Sequence, residues 1–84
     1  MKSYEANVNV TWRGQNGELK DPVNFGATDR EIKRWVTEAI RSGAVSGVAK
    51  DKAVNLDFFV IDRFSANAET PTHRIFVRPK TPFG

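Results

Sequence analysis

Between Thr28 and Gly43, apolar side chains fall at Ile32, Trp35, Val36, Ala39 and Ile40. That is the three-and-four spacing of one face of an α-helix, with Arg30, Lys33, Arg34, Thr37, Glu38 and Arg41 on the opposite side. Thr28 is placed to cap the first turn. Glu31, three residues on, completes a capping box that satisfies backbone N–H groups left open at a helix start. Gly43 is placed to end the helix in a left-handed conformation. No other segment has this period. A single helix covers one face of a sheet and leaves the other to solvent, and the rest of the fold follows from that constraint.

The flanking segments read as strands. Tyr4, Ala6, Val8, Val10 and Trp12 alternate with Glu5, Asn7, Asn9, Thr11 and Arg13, the period-two mark of a strand with one buried face. In Gly14-Gln15-Asn16-Gly17 the Asn-Gly pair offers the positive φ angles of a tight hairpin turn, and Leu19, Val23 and Phe25 lie on the return strand. Asp21-Pro22 removes a ladder donor there, which predicts an edge or a bulge. Residues 44–53 read as a connection, with Val45 and Val48 tucked under the core. A third strand is predicted from about Val54 to Phe64. Around Phe58-Phe59-Val60-Ile61 both its faces are apolar, which suits a central place in the sheet. Phe59 and Ile61 then either face outward as an apolar patch or are covered by the 44–53 connection. Ser65 to Pro71 reads as a polar loop and His73 to Arg78 as a fourth strand, with Pro79 and Pro82 ending regular pairing. The sequence thus predicts one α+β domain over residues 1–84, in the order ββαββ. One amphipathic helix packs on a four-stranded mixed sheet, with 79–84 as a short tail. The open face carries Asn7, Asn9, Thr11 and part of the last two strands.

Composition narrows the function classes. There are no cysteines, hence no disulfide, thiolate metal site or thiol nucleophile. Small secreted domains are usually stapled by disulfides, so a cytoplasmic location is expected. The first residues lack the apolar run of a signal peptide. No stretch approaches the ~18 apolar residues of a membrane span. Asn9-Val10-Thr11 matches a glycosylation sequon, read as chance without a secretion signal. Residues 1–70 balance ten basic against ten acidic side chains, so the net charge of +3 comes from Arg74, Arg78 and Lys80.

This order and length resemble the β-grasp fold of ubiquitin-like proteins. The hairpin, the capped helix opening Thr28-Asp29-Arg30-Glu31-Ile32-Lys33, the basic last strand His73-Arg74-Ile75-Phe76-Val77-Arg78 and a tail closing on Gly84 carry the resemblance. It implies that the first and last strands pair in parallel at the sheet centre, with Val8 and Val10 beside Ile75 and Val77. The modifiers and sulfur carriers of that family end in Gly-Gly, whereas this chain ends Pro82-Phe83-Gly84.

Catalytic patterns are missing. His73 is the one histidine and belongs to no H-x-x-x-H or H-E-x-x-H motif, so it reads as an ordinary surface residue. Ser42, Ser46 and Ser65 lie in turn-like contexts outside any G-x-S-x-G elbow. The glycines fit neither dinucleotide nor P-loop spacing. Asp57 and Asp62, five apart on the predicted third strand, face opposite sides. No enzyme activity, cofactor or metal is expected. The leading expectation is a monomeric, non-catalytic module that binds another protein through the open sheet face, mainly Arg63, Arg74, Phe76 and Arg78. Arginine and aromatic side chains are those interface cores favour. Two alternatives stand beside it. The basic residues interleaved with Phe59, Phe64 and Phe76 suit nucleic-acid phosphates and stacked bases. By the family resemblance, Gly84 suits a modifier or sulfur carrier activated at its C-terminal carboxylate.

Overall fold

The computed structural model describes residues 4–80. The alternating segment forms β1 (Glu5–Trp12), with Ala6, Val8 and Val10 buried on one side. The chain reverses at Arg13 and Gly14, both at positive φ (49° and 77°), and Trp12 faces Gln15 as the closing pair. The turn therefore uses Arg13-Gly14, and Asn16-Gly17, predicted as the turn, belongs to β2 (Gln15–Leu19). The return path is broken in two. Asn9 faces Glu18 on β2, while Ala6 faces Val23 on β3 (Val23–Asn24). Two β1 residues thus lie opposite four, and the excess bulges out around Asp21-Pro22, where a ladder N–H is missing.

Helix α1 (Asp29–Ser42) has the predicted ends. The Thr28 hydroxyl accepts the Glu31 N–H at 3.1 Å, the Glu31 carboxylate accepts the Thr28 N–H at 3.1 Å, and Gly43 sits at φ 76°. Ile32, Val36 and Ile40 are its buried stripe. Beyond Gly43 the chain adds a short strand, β4 (Val45–Ser46), to β2, which buries Val45; Val48 is also buried. The last two strands are β5 (Phe59–Phe64) and β6 (His73–Pro79).

One mixed sheet results, in the order β4-β2-β1-β6-β5, with β3 also paired to β1. β1 and β6 run parallel at its centre, Val8 beside Ile75 and Val10 beside Val77, the pairing the family resemblance implies. The sheet has six strands among the described residues where four were predicted. The additions are the two-residue β3, cut from the return strand by the Pro22 bulge, and β4, formed where the chain leaves the helix. The third predicted strand is also corrected. Val54 and Leu56 are buried in irregular chain, and Phe58 is 86% exposed. Only Phe59–Phe64 pairs, and it does so at the sheet edge rather than the centre. The unbroken apolar run 58–61 marked neither a central strand nor full burial: Phe58 is exposed, and Phe59, Val60 and Ile61 are only partly buried.

Helix and sheet bury one core between them, of Ala6, Val8, Val10, Ile32, Val36, Ile40, Ile75 and Val77 with Val45, Val48, Val54 and Leu56. At one end Trp12 lies against Phe59, ring centroids 5.7 Å apart. Its indole N–H donates to Asp51 Oδ2 at 2.9 Å, the Ala53 N–H donates to Asp51 Oδ1 at 2.9 Å, and Arg13 approaches the same carboxylate at 3.3 Å. Asp51 thereby latches the hairpin to the connection after the helix. The Trp12 indole, then the Ala53 N–H and then Arg13, hold its carboxyl below the usual carboxylate range. A lowered folded pKa stabilises above the unfolded value of about 3.9 and stops doing so as pH falls through the folded value. In a Trp35→Phe background, the Trp12 emission of the wild-type latch should therefore shift below about pH 4. The Asp51→Asn variant should lack that step; its persistence there would rule the latch out as the source.

Candidate functional site

Residues directly opposite across a ladder share a face, so the register sorts every strand side chain. Ile75 and Val77 point into the core with Val8 and Val10, and Arg74, Phe76 and Arg78 therefore point outward beside Asn7 and Asn9. The antiparallel pairing with β5 places Phe64 opposite Arg74, Asp62 opposite Phe76 and Val60 opposite Arg78. On the other flank, Asn16 and Glu18 face Thr11 and Asn9, and Ser46 faces Glu18. The outer face is thus a polar floor of Asn7, Asn9 and Thr11 with an Arg/Phe wall on one side. A groove of about 710 Å³ runs over it, between Phe64, Phe76, Asp62 and Arg78 and the opposing Asn16, Glu18, Ser46 and Gly47.

The wall has internal order. Phe64 and Phe76 meet edge to face with ring centroids 5.4 Å apart, a favoured aromatic geometry. The Arg74 guanidinium lies 5.4 Å from the Phe64 ring centroid and 6.0 Å from that of Phe76, within cation–π range of both. Arg78 Nε donates to Asp62 Oδ2 at 2.6 Å, so its charge is met on the same face. Across the floor, Thr11 Oγ1 donates to Asn16 Oδ1 at 2.7 Å.

Of the four residues predicted to form the binding surface, Arg74, Phe76 and Arg78 come together there. Arg63 does not. It faces Ile75 and therefore lies on the helix side, where Nη1 donates to Phe25 O at 2.8 Å and Nη2 to Asp29 Oδ1 at 2.6 Å. It ties the edge strand to the helix start. Phe59 and Ile61 share that inner side and pack against the core, which settles the alternatives left open for them. Phe64 at 46% exposure and Asp62 complete the outer wall instead. The signal for both was strict alternation from Phe76 across the β5–β6 ladder. Asp57 precedes β5, so it shares no strand with Asp62. His73 is half-buried, stacked on Phe25 at 4.3 Å and 10°, and its Nδ1 accepts the Ala66 N–H at 2.8 Å. It is a structural residue at the start of β6 that holds the preceding loop, not a free surface side chain. Gly84 lies outside the described residues.

Among the described residues no three His, Asp or Glu side chains gather as a metal site would require, and no helix is long and apolar enough to cross a membrane. Comparison of the chain with protein-family models, with curated proteins and with solved structures finds no match.

Proposed function

We propose that this chain is a non-catalytic, ubiquitin-like interaction module of the β-grasp type that binds another protein, as an adapter, accessory subunit or inhibitor, through the outer face of its sheet. The β-grasp reading is supported by the order β2-β1-β6-β5, with a parallel central pair and one helix on one side. The function rests on a single observation: Phe64, Phe76 and Arg74 form a contiguous, half-exposed aromatic and guanidinium wall beside an open groove. Aromatic and arginine side chains are enriched in interface cores, where a few residues carry most of the binding energy. A protein is favoured over nucleic acid because two carboxylates line the groove itself. Asp62 neutralises Arg78, and Glu18 stands on the opposite wall. A phosphate chain laid along the groove would meet both.

The test is recovery of partners from lysate of the native host, with the wild-type chain, a chain lacking Gly84 and a Phe64→Ser/Phe76→Ser variant checked for folding by circular dichroism. The same protein, bound without covalent linkage by the first two and reduced at least tenfold on the third, is the expected result. Covalent adducts that require Gly84 would replace this reading with the modifier one. Recovery of nucleic acid, with affinity falling steeply as salt rises, would replace it with the phosphate-binding one.

A further inference from the structure

The charged side chains around the groove are not equivalent. Arg78 and Asp62 satisfy one another at 2.6 Å. Glu18 on the far wall makes no ion pair with any described residue. Arg74 is the cation beside Phe76, and its guanidinium makes neither a hydrogen bond nor an ion pair with any described residue; Nε is shut off from solvent with no acceptor among them. What it has instead is two rings, Phe64 and Phe76, within 5.4 and 6.0 Å. Rings so placed hold the guanidinium in one orientation and strip part of its hydration. Both effects raise what an arriving oxyanion gains, because less ordering and less desolvation remain to be done on binding.

We infer that the partner presents a single acidic side chain, Asp or Glu, to Arg74, next to an apolar side chain that enters the groove against Phe64 and Phe76. The inference rests on the interaction-module reading and names the chemistry of its partner. Charge complementarity selects this occupant over a polyanion. Among the described residues around the groove, Arg74 is the positive charge with no carboxylate partner, Asp62 is taken up by Arg78, and Glu18 across the groove repels further negative charge. The spacing also fits. Arg74 and Phe76 are two residues apart on one strand, roughly 6.6 Å, which is the separation of alternate side chains on an extended peptide. A residue of the peptide at Arg74 and the next but one at Phe76 would sit side by side on the face. A lysine or arginine further along is expected to answer Glu18.

The experiment is selection of randomised twelve-residue peptides displayed on phage against the intact chain. Synthetic peptides are then titrated against wild type, Arg74→Ala, Arg74→Lys and Phe76→Ser. Enriched peptides should carry Asp or Glu two residues from a large apolar side chain. Their affinity should fall at least tenfold in Arg74→Ala and remain well below wild type in Arg74→Lys, since an ammonium keeps the charge but loses the planar fork that lies against both rings. Changing the peptide acid to its amide should weaken wild type tenfold and leave Arg74→Ala unmoved. Peptides that lose binding to Phe76→Ser yet lack an acid and ignore Arg74→Ala would overturn this inference while leaving the interaction-module reading standing. No enrichment over background, or peptides indifferent to both residues, would overturn the two together. A homopolymeric RNA that displaces every selected peptide and loses affinity in Arg74→Ala would overturn the carboxylate in favour of phosphate.

Discussion

Replacing Ile75 by alanine should cost about 2–5 kcal/mol, the range for an aliphatic side chain truncated in a packed core, whereas Phe76→Ala, one residue on, should cost about 1 kcal/mol. Ile75 is fully buried between Val8 on one side and the edge strand on the other, under Ile32, Val36 and Ile40. Truncation leaves a cavity that the two flanking strands cannot close without giving up their ladders. Phe76 points the other way, and its loss removes an edge-to-face contact with Phe64 and part of the bed of Arg74. A domain of this size holds about 4–13 kcal/mol in all, so the first change consumes anything from about a sixth of it to the whole. The midpoint of thermal unfolding should fall by roughly 10–30 °C for Ile75→Ala and by under about 10 °C for Phe76→Ala. Urea titrations followed by far-ultraviolet dichroism would measure both. Should Ile75→Ala not fold, Ile75→Val provides a graded variant at about 0.5–1.5 kcal/mol. A larger cost for Phe76→Ala than for Ile75→Ala would mean that the two faces have been assigned the wrong way round.

The helix was legible in full because everything that defines it is local. Thr28, Glu31 and Gly43 act on groups within one turn, and the apolar stripe needs only one covering surface. The alternation of β1 was legible for the same reason. What escaped the sequence depends on partners distant in the chain. Phe58-Phe59-Val60-Ile61 has no polar residue to set its parity, and the strand became readable only from the ladder with β6. There Asp62 falls opposite Phe76 and Arg63 opposite Ile75. Arg63 was grouped with Arg74 and Arg78 on charge, yet its neighbour Asp62 lies outward and alternation turns Arg63 inward, to Phe25 and Asp29. Charge was likewise misleading by position. The three basic residues that supply the net charge sit near the end of the sequence, but Asp62 meets one of them and the two rings embed another.

Gly17→Ala should destabilise by about 3 kcal/mol, the upper end of what over-packing costs, and Gly14→Ala by about 1 kcal/mol. The sequence alone suggests the reverse, because Asn16-Gly17 has the composition of a tight turn. In the structure the turn belongs to Gly14, at φ 77° with nothing within 4 Å of where a Cβ would stand, so its replacement costs only the left-handed backbone. Gly17 lies inside β2 where β4 crosses over it. A Cβ there would stand 2.3 Å from Ser46 O and 2.8 Å from side-chain methyls of Val45 and Val48. The carbonyl cannot swing away cheaply, since Gly47, at φ 92°, itself comes close enough that a Cβ on it would stand 2.4 Å from Asn16 O. The two glycines let the two backbones touch. Alanine at position 17 should therefore lift β4 from β2, speed hydrogen exchange where Val45 and Ser46 pair with Leu19 and Glu18, and expose Val45 and Val48 to water. Ser46 and Gly47 form part of one wall of the outer groove. The same substitution should thus weaken any peptide that fills the groove, although no peptide atom need touch Gly17. If Gly14→Ala proved the costlier change and exchange at Val45 and Ser46 stayed slow, the close crossing of β2 and β4 would be refuted.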